Sequence, residues 1–187
     1  MMPRVDPNAR TGRPQVADPS SPTGVDVPVQ VVVADEQTEQ AVDAHRWAAL
    51  AAAVLRSEGR SGELTLTFVD RAEIANLNEE HLGEAGPTDV LSFPLDDDPG
   101  DVAAGPVLLG DVVICPAVAV EAAAGHAGTV DDELALLTVH GVLHIVGHDH
   151  AEAEERAAMQ VAELAYLCEH HWRGPAPTSF RQEHQTP

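Results

Sequence analysis

The chain has no lysine, and its 187 residues include only 2 cysteines, 1 tyrosine, 2 tryptophans and 3 phenylalanines. Cys115 and Cys168 are too few for a disulfide framework, which points to a reducing compartment. An aromatic content of 3% excludes an extended platform for stacking bases. Without lysine, the 10 basic side chains are all arginine and face 31 acidic ones, for a formal charge of −21. That balance excludes a general nucleic-acid binder but not a local basic groove, because a field depends on where charges sit. Long apolar runs are also missing. The longest, WAALAAAVL from Trp47 to Leu55, is too short for a membrane span, and the opening stretch Met1 to Pro14 lacks the apolar core of a signal peptide. The expectation is a cytoplasmic protein without membrane contact.

What is present is enough apolar sequence, 44%, for one core. Residues 1–26 are rich in proline and without periodicity, and 174–187 look alike; both are expected to be disordered tails around a domain at 27–173. Strands are expected at 28–34, 63–70, 88–94 and 107–115, the last interrupted by Gly110. In ELTLTFVD, Leu64, Leu66 and Phe68 alternate with Thr65 and Thr67, as in a half-buried strand. A helix is expected over 36–59, ending at Gly59. A second starts after Asp70, with Glu73 completing a capping box, and ends near Gly83. Helices should follow over 116–128, 130–147 and 151–172, with an acidic loop at 96–106 between the last two strands. This order predicts an α+β domain: a small four-stranded mixed sheet with about five helices, and a metal site at the end of a core helix.

The metal site is suggested by HGVLHIVGHDH, residues 140–150. His140 and His144 are four apart on a helix, so both rings share a face. On a continuous helix His150 would lie about 120° off that face. Gly147 can take the left-handed conformation at C′, end the helix and return His150 to the pair. Three imidazoles leave a fourth position open, the pattern of catalytic zinc, although imidazole also suits nickel, copper and iron. His148 points elsewhere. His45, His81, His126, His170, His171 and His184 read as ordinary polar residues, and Cys115 and Cys168 as small buried ones. Gly141 stands where the HExxH peptidases carry their glutamate base, which argues against a peptidase.

HGVLHIVGHDH resembles the H-G-x-L-H-x-x-G-[Y/H]-D-H signature of the YbeY family, bacterial endoribonucleases also called rRNA maturation factors. GPTDVLSFP at 86–94, LLGDVVIC at 108–115 and ELALLTVHG at 133–141 are similar to further family segments in the same order. The resemblance implies a four-stranded sheet with the metal-bearing helix behind it. It implies one zinc ion on His140, His144 and His150, and cleavage of single-stranded RNA. The task it implies is maturation of the 16S rRNA 3′ end and ribosome quality control, with small-subunit components and an assembly GTPase as partners. At one place the chain departs from the pattern. The family commonly has Tyr-Arg after L-N-x-x, where this chain has His81 and Leu82. Arg46, Arg56, Arg60 and Arg71 are the candidate replacements for that cation.

The expected mechanism is a zinc ion that activates water or polarises a phosphodiester oxygen. Asp149, Asp111 and Asp89 are the candidate bases, with support of a ligand or capping of a turn as their alternative role. Thr88 and Ser92 could bond a phosphate or cap strand ends. RNA also brings its own 2′-hydroxyl as a nucleophile. Two rival readings remain: a non-catalytic, zinc-stabilised ribosome assembly factor, and a metal-dependent hydrolase of another substrate.

Overall fold

The computed structural model describes residues 28–95 and 107–182. The expected tail at 1–26, the acidic loop at 96–106 and His184 lie outside the described residues. Four strands, β1 (Val29–Asp35), β2 (Gly62–Phe68), β3 (Val90–Pro94) and β4 (Leu108–Ile114), form one sheet in the order β1-β2-β4-β3. The first two pairings are parallel and β3 runs antiparallel to β4, so the sheet is mixed. β4 continues through Gly110, where its register against β2 is shifted by a bulge.

The helices are α1 (Ala44–Ser57), α2 (Arg71–Leu82), α3 (Pro116–Ala123), α4 (Val130–Ile145) and α5 (Ala153–Tyr166), and α5 runs on into a π-helical turn over Leu167–His171. α1 begins eight residues later than its composition suggests, because a side chain takes over the backbone there. The Gln37 amide donates to Asp35 and to the Gln40 carbonyl, and its oxygen accepts from the N–H groups of Glu39 and Gln40. These bonds hold a loop that ends at Asp43, which caps α1 by accepting from Arg46 N–H. At α2 the Asp70 half of the expected capping box is made, with Glu73 N–H donating at 2.9 Å, and Gly83 closes the helix at φ +73°.

The sheet divides the apolar residues by its period of two. On one face Leu64, Leu66, Phe68, Val112 and Ile114 pack with α1 and α4 into the main core. On the other, Leu91, Val113 and Cys115 meet Ile74 of α2 in a smaller cluster. α4 is the central element, with every residue from Glu133 to Val139 buried. That explains why its sequence lacks a polar face: helices and sheet surround it.

Two details place α4. Gly141 faces the sheet, and a Cβ there would stand 2.6 Å from Val112 Cγ1 and 3.2 Å from Ser92 Oγ. The Ser92 hydroxyl donates to the Gly141 carbonyl at 3.2 Å. The helix can rest at this depth because position 141 has no side chain, and the same contact leaves no room for a glutamate. The other detail lies at the end of the chain. Residues 174–182, expected to be part of a tail, have defined contacts: Phe180 packs edge-on against Trp172 with centroids 4.8 Å apart, and Arg181 N–H donates to the His126 carbonyl.

Gly141→Ala should therefore cost about 1–3 kcal/mol in chemical denaturation, the usual scale of overpacking. Gly125→Ala, whose nearest neighbour would be 3.8 Å away, should stay within about 0.5 kcal/mol of wild type. Equal stability of the two variants would contradict the close approach of α4.

Candidate metal centre

α4 starts at Thr129, whose hydroxyl accepts from Asp132 N–H at 3.1 Å, and acidic residues fill its first turn, where the helix dipole favours them. It ends in a Schellman motif. Gly147 sits at φ +98°, His148 N–H donates to the Leu143 carbonyl at 3.0 Å, and Gly147 N–H donates to the His144 carbonyl at 3.1 Å. The chain then turns at Asp149, whose carboxylate accepts from the N–H groups of His150 (2.6 Å) and Ala151 (3.3 Å). Those bonds, the one from His150 first, hold the Asp149 carboxyl below its ordinary range.

The result is three imidazoles facing one another. Nε2 of His140 and Nε2 of His144 are 3.1 Å apart, and one ring nitrogen from each of His140, His144 and His150 lies within 4.8 Å of the others. Two nitrogens on one tetrahedral zinc, each roughly 2.0–2.1 Å from it, stand about 3.3 Å apart. The helical pair therefore already has ligand spacing. His150 is on an exposed turn, with its ring nitrogen within 4.8 Å of the pair. Burial, followed by the neighbouring His140 and His150, pushes the His144 pKa down from 6.5 to about 4. A neutral imidazole is the form that binds metal.

Behind the cluster, His140 Nδ1 is 2.7 Å from the carboxylate of Glu163 on α5. A carboxylate accepts, so Nδ1 carries the hydrogen and Nε2 is left with its lone pair toward the other rings. Glu163 is 3% exposed. The donor set, its spacing and this carboxylate all fit a zinc-type ion.

The other candidates are placed elsewhere. Asp149 holds the turn and is adjacent to the cluster. Asp111 pairs with Phe93 and alternates with Val112, so it faces away from α4, across the sheet from the histidines. Asp89 accepts from Val90 N–H and from Thr88 Oγ1 at the start of β3. Ser92 is committed to Gly141. Neither Thr88 nor Ser92 has a hydroxyl directed at the histidines. His148 turns to Glu58, the residue that follows α1, at 3.7 Å. His126 is buried and its pKa raised, chiefly by hydrogen bonding to Glu133 at 2.9 Å. His171 is 2.9 Å from Asp132, His170 meets Ser57, and His45 is exposed. Cys115 is buried, and Cys168 half-buried on the π-helical turn.

Among the arginines, Arg46 pairs with Asp131 and Arg71 with Glu121, both away from the cluster. Leu82 is 62% exposed, and His81 beside it packs on Phe93. Arg156, in the first turn of α5, stands at the cluster, and its guanidinium donates to the His150 carbonyl at 3.2 Å. Arg156 and Glu163 are not singled out by the sequence patterns. A signal for Glu163 does exist: it follows Met159 by four residues, so a carboxylate shares the buried face of an otherwise amphipathic helix.

The fold and site define a class: a mixed α+β domain with three converging imidazoles at the open end of its central helix. The chain belongs to the YbeY endoribonuclease family; the model described as Endoribonuclease YbeY matches residues 32–170. It is 49% identical over 125 residues to Endoribonuclease YbeY of Beutenbergia cavernae, covering 63% of this chain and 82% of that one. With Endoribonuclease YbeY of Salinispora tropica the identity is 46% over 119 residues, covering 59% and 74%. The fold is similar to that of a Thermotoga maritima protein solved in solution, at a TM-score of 0.50 and 23% identity, covering 76% of this chain and 92% of that one.

In the metal-free protein the folded state excludes a proton that the unfolded chain takes up at His144. This group's contribution to stability is therefore intact above 6.5, falls as the pH drops below 6.5 and levels off near 4. A ring-nitrogen NMR titration should give His144 a midpoint near 4, and a midpoint near 6.5 would contradict its placement.

Proposed function

We propose that this protein is a zinc-dependent endoribonuclease, holding one ion per chain on His140, His144 and His150 and cutting single-stranded RNA. The observation that carries the reading is the convergence of three imidazole nitrogens within 4.8 Å at an exposed helix end. Its cellular task, on this reading, is maturation of the 16S rRNA 3′ end and ribosome quality control in the cytoplasm, in contact with small-subunit components and an assembly GTPase. Among the described residues no helix is long and apolar enough to cross a membrane.

When bound, the ion would supply Lewis acidity to a phosphoryl oxygen or to water. The protein's own groups do the rest. Glu163 orients His140. The Asp149 turn carries His150 to the pair. Arg156 makes no ion pair with a carboxylate among the described residues and is available for a non-bridging phosphate oxygen. Asp149 stays ionised, held by backbone N–H groups, so it serves the turn and not as a free base. A flexible single strand can bring its 2′-hydroxyl to the phosphate, whereas an A-form duplex holds that geometry rigid.

The acidic chain favours one rival, a zinc-stabilised assembly factor without catalysis that meets basic ribosomal proteins. One experiment separates the two. Zinc-loaded wild type should cleave a single-stranded RNA oligonucleotide and spare its duplex. His144→Ala should lose both the metal, by elemental analysis, and the cleavage. Wild type that binds zinc and leaves RNA intact would favour the assembly factor. Arg156→Ala should keep its metal and raise KM about tenfold, one phosphate contact's worth of roughly 1.4 kcal/mol; an unchanged KM removes Arg156 from the RNA site.

A further inference from the structure

The family model ends at residue 170, yet the chain beyond it returns to the metal centre. Trp172 donates its indole N–H to Asp132 at 2.6 Å, near the start of α4. Phe180 packs against Trp172, Ser179 lies beside Gly128, and Arg181 N–H donates to the His126 carbonyl. These contacts fasten the segment to the α3–α4 corner. From there the Gln182 amide reaches α5, donating to the Gln160 carbonyl at 2.5 Å and to Glu163 Oε2 at 2.7 Å. The other oxygen of that carboxylate, Oε1, is the one at His140 Nδ1.

We propose that residues 172–182 form a strap that positions a metal ligand, with Gln182 fixing the Glu163 carboxylate that orients the His140 ring. The inference rests on the zinc reading of the three histidines. Its physical basis is the satisfaction of a buried carboxylate. With both oxygens bonded, the Glu163 head group has one orientation, and Oε1 stays aimed at His140. Removing the Gln182 amide leaves Oε2 without a strong donor in a nearly dry place. The carboxylate then rotates toward water and takes its hold on Nδ1 with it. The Nε2 lone pair of His140 loses its aim, and binding of the ion weakens. Loss of such supporting partners typically weakens metal binding tenfold or more. Gln182 touches neither the ion's position nor substrate, so it is a positioning residue.

The test uses the full chain and zinc alone, with affinity measured by competition against a chromophoric chelator. Gln182→Ala should weaken zinc binding about tenfold, and Gln182→Glu, which sets an acceptor against Glu163, at least as much. Phe180→Ala loosens the strap from its other end without touching Glu163 and should lower affinity in the same direction. Thr178→Ala, at an exposed strap position whose carbonyl contact with Arg181 survives the change, should match wild type. Circular dichroism confirms that each variant is folded. Folded Gln182→Ala and Phe180→Ala proteins that bind zinc within twofold of wild type would overturn the strap and leave the zinc reading standing. Wild type that binds no zinc at all would overturn both.

Discussion

The depth at which α4 rests on the sheet is the constraint from which the rest of the molecule follows. Helix axes and sheets normally keep a separation set by side chains; here Gly141 removes one, and Val112 and Ser92 occupy its space. A helix sunk this far is surrounded by α1, α5 and the sheet, so nearly all of it must be apolar. Beyond its acidic first turn, the exception is the face toward α5 at its C-terminal end, where His140 meets Glu163 and His144 lies one turn on. The same glycine also bears on chemistry. In the zinc peptidases this position carries a glutamate base. Here it points into the sheet, so any base has to come from elsewhere, and a substrate with its own nucleophile suits such a centre.

A second layer of polar groups makes the arrangement rigid. Asp132 holds His171 and Trp172, Glu133 holds His126 and the Ala127 N–H, and Glu163 holds His140. Each is a buried carboxylate on or against α4, and each would be costly without its partners. Together they link the α3–α4 corner, the π-helical turn and α5 to one helix. The cost of burying these charges is offset by hydrogen bonding on both oxygens, and what is gained is orientation. Imidazole rings on an unsupported surface would sample several rotamers; the Glu163 carboxylate gives the His140 ring a fixed partner.

Much of this is legible in the sequence, for identifiable reasons. Leu64, Leu66 and Phe68 alternate because β2 separates two faces, and Asp70 and Gly83 bracket α2 because helix ends need caps. Gly147 is readable as a turning point because only a left-handed residue lets His150 rejoin the pair. These are local rules, and local rules survive folding. Other features depend on partners far along the chain. The late start of α1 follows from one glutamine side chain making four hydrogen bonds. The order β1-β2-β4-β3 depends on crossovers that alternation does not encode. Glu163 reads as one more surface acid until α5 is laid on α4. The stretch from 174 reads as a tail because proline, glycine and alanine offer little to bury, and its few anchoring groups, Phe180 and Gln182, are spaced without a period.

The charge of −21 then has a physical consequence at the centre itself. Asp149, Glu152, Glu154 and Glu155 surround the turn that carries His150, so an approaching phosphodiester meets repulsion at distances beyond a few ångströms. A divalent ion held by the three imidazoles would add two positive charges at one point, and Arg156 one more beside it. The field near the cluster would thus reverse sign over a short distance when the ion binds. Screening at physiological salt, with a Debye length of about 8 Å, leaves that short-range attraction largely intact while it weakens the longer-range repulsion. An acidic protein of this design would discriminate against RNA in general and accept a strand only where a phosphate can be pressed against the ion. On the proposed reading, flexible single strands would meet that condition and stiff duplexes would not, and the acidic surface, which argues against a general nucleic-acid binder, would serve selectivity.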